Sequence, residues 1–300
     1  MRFTRRQALA LCAAPLIART RPAVAITMDD VRWQIIPEDR RSEAEERLLN
    51  CLQGTRALLF AVGQNVDNEH GSRILTQWSA AGHWIGNHTY RHQPLLGKTQ
   101  PEEFEQGILR NEELLRRYSG FRKWFRFPVL KEGQTREIRD RLRSFLAQNS
   151  YRNGAVTIDA SDWYYDQRLR ARIEADRRFD VGLYRQPYLN HIWDRAQFYD
   201  QLSRDVIGRS VPHTLLIHYN LLNSLFLGDL LAMFRSKEWG LIGADEAFSD
   251  RVFASRPDTV PAGESLMWAL AKETGKFENR LRYPGEDDVY EKPVLDRLGL

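Results

Sequence analysis

The chain has 300 residues, 42% of them hydrophobic, with 8 Trp, 11 Tyr and 14 Phe. That is enough apolar and aromatic side chain for a large core, which excludes a disordered chain, and no apolar run reaches the roughly 18 residues that a membrane span needs. The formal net charge of +4 resides in the first 25 residues, which hold five arginines (Arg2, Arg5, Arg6, Arg19, Arg21) and no acid; the remainder carries −1, +4 less 5, and has no long basic run of the kind a nucleic-acid surface requires.

Met1 to Arg6 is basic, Ala8 to Ala18 is short and mostly apolar, and small residues follow. This is the plan of an export signal, and Thr4-Arg5-Arg6-Gln7-Ala8-Leu9 resembles a twin-arginine signal. Residues 1–23 are therefore expected to be a leader, with its cleavage point open, and the mature protein to be periplasmic or extracellular. Cys12 follows Leu11, which is too large for a lipid-attachment site. The mature chain then keeps one thiol, Cys51, which cannot form an internal disulfide and whose leucine neighbours predict burial in a helix.

From Val24 onward short apolar runs alternate with helical patterns. Strands are predicted at 24–27, 57–62, 83–87, 123–127, 154–158, 214–217 and 239–242. Helices are predicted at 42–52, with Ser42 as cap and Glu45 three residues on, and at 71–81, ending at Gly82. A helix entered through Pro101 is expected to run to Tyr118. Further helices are predicted at 134–148, 168–177, 195–207, 221–234 and 265–274. This βαβα alternation predicts a parallel α/β fold, as a barrel or an open sheet. The divisions expected are a domain at 24–250 and a charged C-terminal extension at 251–300, whose last part wraps the body or is mobile.

The reactive side chains collect at one end of the predicted strands. Asp29 and Asp30 follow the first. His88 and His92 follow the third; four residues apart, they share a face if the segment is helical, and neutral imidazoles suit zinc and similar ions. Arg126 follows the next strand, Asp159, Asp162 and Trp163 the one after, and His218 the strand at 214–217. In a parallel barrel, or in an open parallel sheet, that end is where ligands and catalysis sit. His83 and His213 each precede a selected histidine by five residues, roughly 16 Å along a strand, and are read as structural at the opposite end. His70 and His191 are placed in loops with surface or packing roles.

Taken in order, Thr27-Met28-Asp29-Asp30, His88-Thr89-Tyr90-Arg91-His92, Arg126-Phe127-Pro128, Asp159-Ala160-Ser161-Asp162-Trp163 and Leu215-Leu216-Ile217-His218 resemble the five motifs of the NodB-homology polysaccharide deacetylases, carbohydrate esterase family 4. The resemblance spans about residues 24–250 and implies a distorted, incomplete (β/α) barrel. It implies that Asp30, His88 and His92 hold a divalent metal, usually Zn2+, and that Asp29 is the general base, paired with Arg126. His218 would then be the general acid, oriented by Asp162. Trp163 would wall the acetyl pocket, and the Val129 N–H would assist at the oxyanion. The implied reaction is hydrolysis of the N-acetyl group of an amino sugar in a glycan. A related amide hydrolase acting on a small non-sugar substrate, or a non-catalytic carbohydrate-binding protein, are the alternatives. Met28 stands where the family has Phe. Val129, the Leu130-Lys131-Glu132-Gly133 stretch and Tyr219 also depart from the pattern, and are expected at the rim of the groove.

Overall fold

The computed structural model describes residues 21–97, 99–282 and 285–300; the expected leader lies almost wholly outside the described residues. The elements in chain order are β1 (Ala23–Asp30), α1 (Arg41–Cys51), β2 (Leu58–Ala61), α2 (Gly63–Val66), α3 (Glu69–Ala80), β3 (Trp84–Asn87), α4 (Pro101–Leu115) and β4 (Phe121–Phe125). Then come β5 (Lys131–Gly133), α5 (Arg136–Gln148), β6 (Arg152–Asn153), α6 (Asp162–Ala175), α7 (Arg185–Ile207), β7 (Pro212–His218) and α8 (Leu221–Ser236). The chain ends with β8 (Gly240–Leu241), α9 (Ala244–Ala247), β9 (Ala262–Gly263), α10 (Leu266–Thr274) and α11 (Asp288–Arg297).

The main sheet is parallel, in the order β6-β4-β3-β2-β1-β7, with β8 against the start of β1. β1 is buried along nearly its whole length, as expected of a strand covered on both faces. The sheet curls into a half-barrel, and residues 152–158 span its gap. At one end of this segment β6 pairs with β4; at the other, Ile158 bridges to Leu215 of β7. The regular strand expected at 154–158 is therefore replaced by a crossing segment bent at Gly154. The Gly154 N–H donates to the Phe125 carbonyl at 2.6 Å, and a Cβ there would lie 2.2 Å from Cζ of buried Phe60.

Helix boundaries follow local chemistry. Asn68 caps α3 through its side chain, Thr135 caps α5, Asn220 caps α8 and Ser265 caps α10, each satisfying an N–H that the helix leaves unpaired. Ser42 does not cap α1: a short 3-10 turn at Glu38–Arg40 runs straight into that helix and places Ser42 inside its first turn. Helices α6 and α7 begin earlier than predicted; at the start of α6 the polar Asp162 and Asp166 are buried, and at the start of α7 Tyr188 and Leu189 are buried while Arg185 pairs with Asp229 at the surface. Cys51 ends α1 half-buried and unpaired. Two histidines expected in loops are helical: His70 in α3 stacks on Trp33, and His191 lies in α7. His83 and His213, read as structural, are buried; His213 bonds Thr157 and pairs with Asp200.

The C-terminal extension wraps the body. β9 pairs antiparallel with β5, α10 packs on α7, and Leu300, three residues beyond α11, is buried. No described helix is long and apolar enough to cross a membrane.

Candidate metal and catalytic centre

The sheet fixes the site through register. Asp29 of β1 lies opposite His218 of β7 on one side and Phe60 of β2 on the other. Next along β1, Asp30 turns into the left-handed region at φ 77°, and Val31 follows at 55°. His88 follows β3 directly. The segment from His88 to His92 is not helical as the spacing suggested; Thr89 and His92 both have positive φ (61° and 55°). Left-handed backbone at non-glycine residues costs on the order of 1–3 kcal/mol each and persists where the surroundings over-determine it. Here Asn87 does so. Its carboxamide oxygen accepts from the Thr89 N–H and from Asn111, and its NH2 donates to the Ile108 carbonyl and to Tyr151. The Thr89 hydroxyl then accepts from the His92 N–H at 3.0 Å.

The result brings three candidate ligands together. Asp30 Oδ1 lies 3.5 Å from His88 Nε2 and 3.3 Å from His92 Nε2, and one atom from each of the three residues falls within 4.8 Å of the others. His88 Nδ1 sits 2.8 Å from the Arg126 carbonyl. That acceptor fixes the proton on Nδ1 and leaves the Nε2 lone pair facing Asp30. Asp30 Oδ1 is buried without a hydrogen-bond donor. Burial opposes its charge, but His88, His92 and His218 outweigh burial and hold its carboxyl well below the usual range. Burial pushes His92 down to about 4 against the pull of Asp30; the 31% of its side chain left open tempers that effect. One carboxylate with an unshared buried oxygen and two neutral imidazoles are a donor set that fits a divalent cation.

Beside this group are the acid–base candidates. Arg126 is fully buried and donates to Asp29 Oδ1 at 2.7 Å, to the Thr27 hydroxyl and to the Gly154 carbonyl. Burial works against its charge and Asp29 supports it. On the other side, Asp162 at the start of α6 accepts four hydrogen bonds: from the His218 N–H and Nδ1 (both 2.8 Å), from Asn223 (2.8 Å) and from Asn220 (3.1 Å). Burial disfavours the His218 cation, but Asp162 overrides it and lifts His218 to about 10.

Asp29, Asp30, His88, His92 and His218 face one pocket of about 470 Å³, lined also by Val129, Lys131, Asp159, Trp163, Glu264 and Glu286. Val129 is 48% exposed, with left-handed backbone at φ 48°. Trp163 is 37% exposed. A second cavity, of about 370 Å³, lies beyond Leu130 and Glu264 and does not contain the centre. Among the departures, Val129, Leu130, Lys131 and Tyr219 line the pocket, the Tyr219 ring lying buried beside Trp78, whereas Met28 is buried in β1 and Glu132 turns away to bond Arg143.

Sequence reasoning placed Asp159 at a strand end and Lys131 at the rim without giving either a role, and it missed Asn220, Glu264 and Glu286, which also line this pocket. Lys131 pairs with Glu264 of the extension, and burial pushes its amine down to about 8. Asp159, next to Glu286, is pushed up to about 7 by burial and by that neighbour. Asn220 and Asn223 had a signal, an Asn-x-x-Asn cap directly after a strand. Glu264 and Glu286 had none, because only chain folding brings them to the pocket.

The fold and the pocket thus define an α/β half-barrel with a carboxylate–imidazole centre at the carboxyl end of its strands. Residues 17–151 match the family model for polysaccharide deacetylases. The chain is 30% identical, over 142 residues, to a peptidoglycan-N-acetylglucosamine deacetylase of Bacillus cereus, covering 47% of this chain and 46% of that protein. It is 33% identical over 123 residues to a chitin deacetylase of Colletotrichum lindemuthianum, covering 39% and 46%. The match therefore spans about half the length of these relatives. The structure also resembles that of a CE4 family pseudoenzyme from Bacillus anthracis, with TM-score 0.51 and 16% identity over 76% of this chain and 66% of that one. Over residues 17–151 the chain is thus similar to the polysaccharide deacetylases.

Proposed function

We propose that the protein is a metal-dependent deacetylase that hydrolyses the N-acetyl group of amino sugars in a glycan, releasing acetate. The observation that carries this reading is the convergence of Asp30, His88 and His92 between an Arg-paired carboxylate, Asp29, and an Asp-paired imidazole, His218. A divalent ion held by Asp30, His88 and His92, Zn2+ by the chemistry of that set, would supply Lewis acidity toward the acyl oxygen and the attacking water.

The chain's own groups do the rest. Asp29, bonded by Arg126 at 2.7 Å, accepts the proton of the water. His218, kept protonated by Asp162, delivers a proton to the departing amine. Opposite proton preferences held side by side are what base and acid require. Trp163 and Val129, both exposed to the pocket, contact the acyl group. The presence of both Asp29 and His218 argues against a non-catalytic binding protein. The pocket wall built by Glu264 and Glu286 keeps a small amide substrate as the second reading. Export follows from the composition of residues 1–23, and is tested by fractionating cells that express the full chain.

The activity test is acetate release from N-acetylated chito-oligomers and peptidoglycan by protein loaded with Zn2+, with N-acyl small molecules in parallel. Acetate from the glycans alone supports the proposal. Acid release only from small amides favours the second reading, and no release from any of them overturns both.

A further inference from the structure

The C-terminal helix reaches the acid side of the pocket through a buried relay. Glu291 of α11, with 5% of its side chain exposed, lies 3.3 Å from His191 Nδ1 and accepts from Arg282 at 2.9 Å. His191 of α7 is buried and stacks on Tyr165, ring centroids 5.0 Å apart and planes 28° apart. Its Nε2 accepts from the Ser161 N–H at 2.9 Å. Ser161 stands immediately before α6, and its side chain makes no capping bond there. The imidazole therefore satisfies a buried N–H at the helix start that would otherwise go unpaired. The next residue is Asp162, which aims His218.

Ser161, His191 and Glu291 share the residue types of a nucleophile triad. The geometry excludes that role: Ser161 is fully buried, and the imidazole accepts from its backbone N–H rather than from its hydroxyl.

We propose that His191 and Glu291 are positioning residues for the proton donor, fixing the Ser161–Asp162 backbone and so the direction in which Asp162 points His218. The proposal rests on the deacetylase reading. A second contact from the same extension works alongside it: Glu286, held by Arg195 and Arg282, packs beside Asp159 at the other end of the same loop. The loop that carries the Asp159-to-Trp163 motif is thus pinned at both ends by chain outside the matched family region. Displacing a catalytic group by about 1 Å can cost on the order of 10²-fold in rate.

The test compares His191→Leu, His191→Gln and Glu291→Ala in the full, Zn2+-loaded chain. Leucine removes both hydrogen bonds. Glutamine keeps one acceptor for Ser161 and one donor for Glu291. His191→Leu is expected to lower kcat about 10- to 100-fold with KM within about twofold, and His191→Gln to recover most of the loss. Glu291→Ala is expected to fall between them. The slowly exchanging Nδ1 proton of His218, followed by NMR, should shift or vanish in His191→Leu and persist in His191→Gln. If His191→Leu does not fold, Glu291→Ala carries the same two readouts. A fall in melting temperature with unchanged kcat and an unchanged His218 signal would overturn the proposal. If the parent protein releases no acetate, the deacetylase reading fails on that result, and the NMR signal alone still decides whether the relay sets His218.

Discussion

Replacing Asp162 by Asn tests the electrostatics of the centre directly. His218 is lifted from 6.5 to about 10, against burial, chiefly by Asp162. That separation corresponds to roughly 5 kcal/mol at 1.36 kcal/mol per pH unit. The His218 side chain keeps 21% of its surface open to the pocket, so screening leaves about 2–3 kcal/mol as the working figure. Because the folded-state value is raised, this stabilisation is fully present below about pH 6.5 and is lost as pH rises through 10. A divalent ion at Asp30 opposes the proton on His218, so the loaded protein loses it below 10. Asn at 162 removes the charge. It also turns an NH2 toward one of four donors, leaving a buried group unpaired at a further cost of about 1–3 kcal/mol. The expected result is an alkaline limb of kcat displaced downward by about two pH units, since 2–3 kcal/mol at 1.36 per unit gives that distance. At pH 8 to 9 the fall in kcat is expected to be on the order of 10²-fold. The assay is acetate release from pH 5 to 11, at a temperature where circular dichroism shows the variant folded. A folded Asp162→Asn protein whose alkaline limb stays within about 0.3 pH units of the parent would refute the assignment of His218 as proton donor.

Asp29→Asn is expected to retain metal while kcat falls by about 10²- to 10⁴-fold, as read by elemental analysis beside the acetate assay; full turnover would remove Asp29 from the mechanism. His88→Ala should abolish stoichiometric metal binding, because the buried Asp30 and the partly open His92 alone leave too few donors. Competition against a chromogenic chelator measures this, and parent-like affinity would disprove the site. Gly154→Ala should destabilise the fold by about 1–3 kcal/mol in urea unfolding, because the new methyl would meet Phe60 where the crossing segment closes the half-barrel. An unchanged midpoint would mean that the segment shifts freely.

The candidate residues were legible because parallel strands end on one side. Asp29, His88, Arg126 and His218 each directly follow an apolar run, and that rule needs only local pattern. Errors arose where local pattern is silent. The helical spacing of His88 and His92 suggested a helix, but Asn87 and Asn111 hold that segment in a left-handed turn through contacts far away in sequence. The apolar run at 154–158 read as a strand, yet the segment pairs with other strands only at its two ends, and at its middle the Val156 carbonyl accepts from the Leu266 N–H instead.

By itself, the sequence determined the alternation of elements, the residue types at the strand ends and the likeness of its ordered motifs to a known family, because these depend on periodicity and order along the chain. Tertiary structure decided which of those residues meet. It also gave the extension its role, bringing Glu264, Glu286 and Glu291 from more than a hundred residues away in sequence to the walls of the pocket and the base of the Asp162 loop. The physical reason is that burial and charge are properties of neighbours. A glutamate in a charged tail carries no mark of the imidazole it will meet until the chain has folded around both.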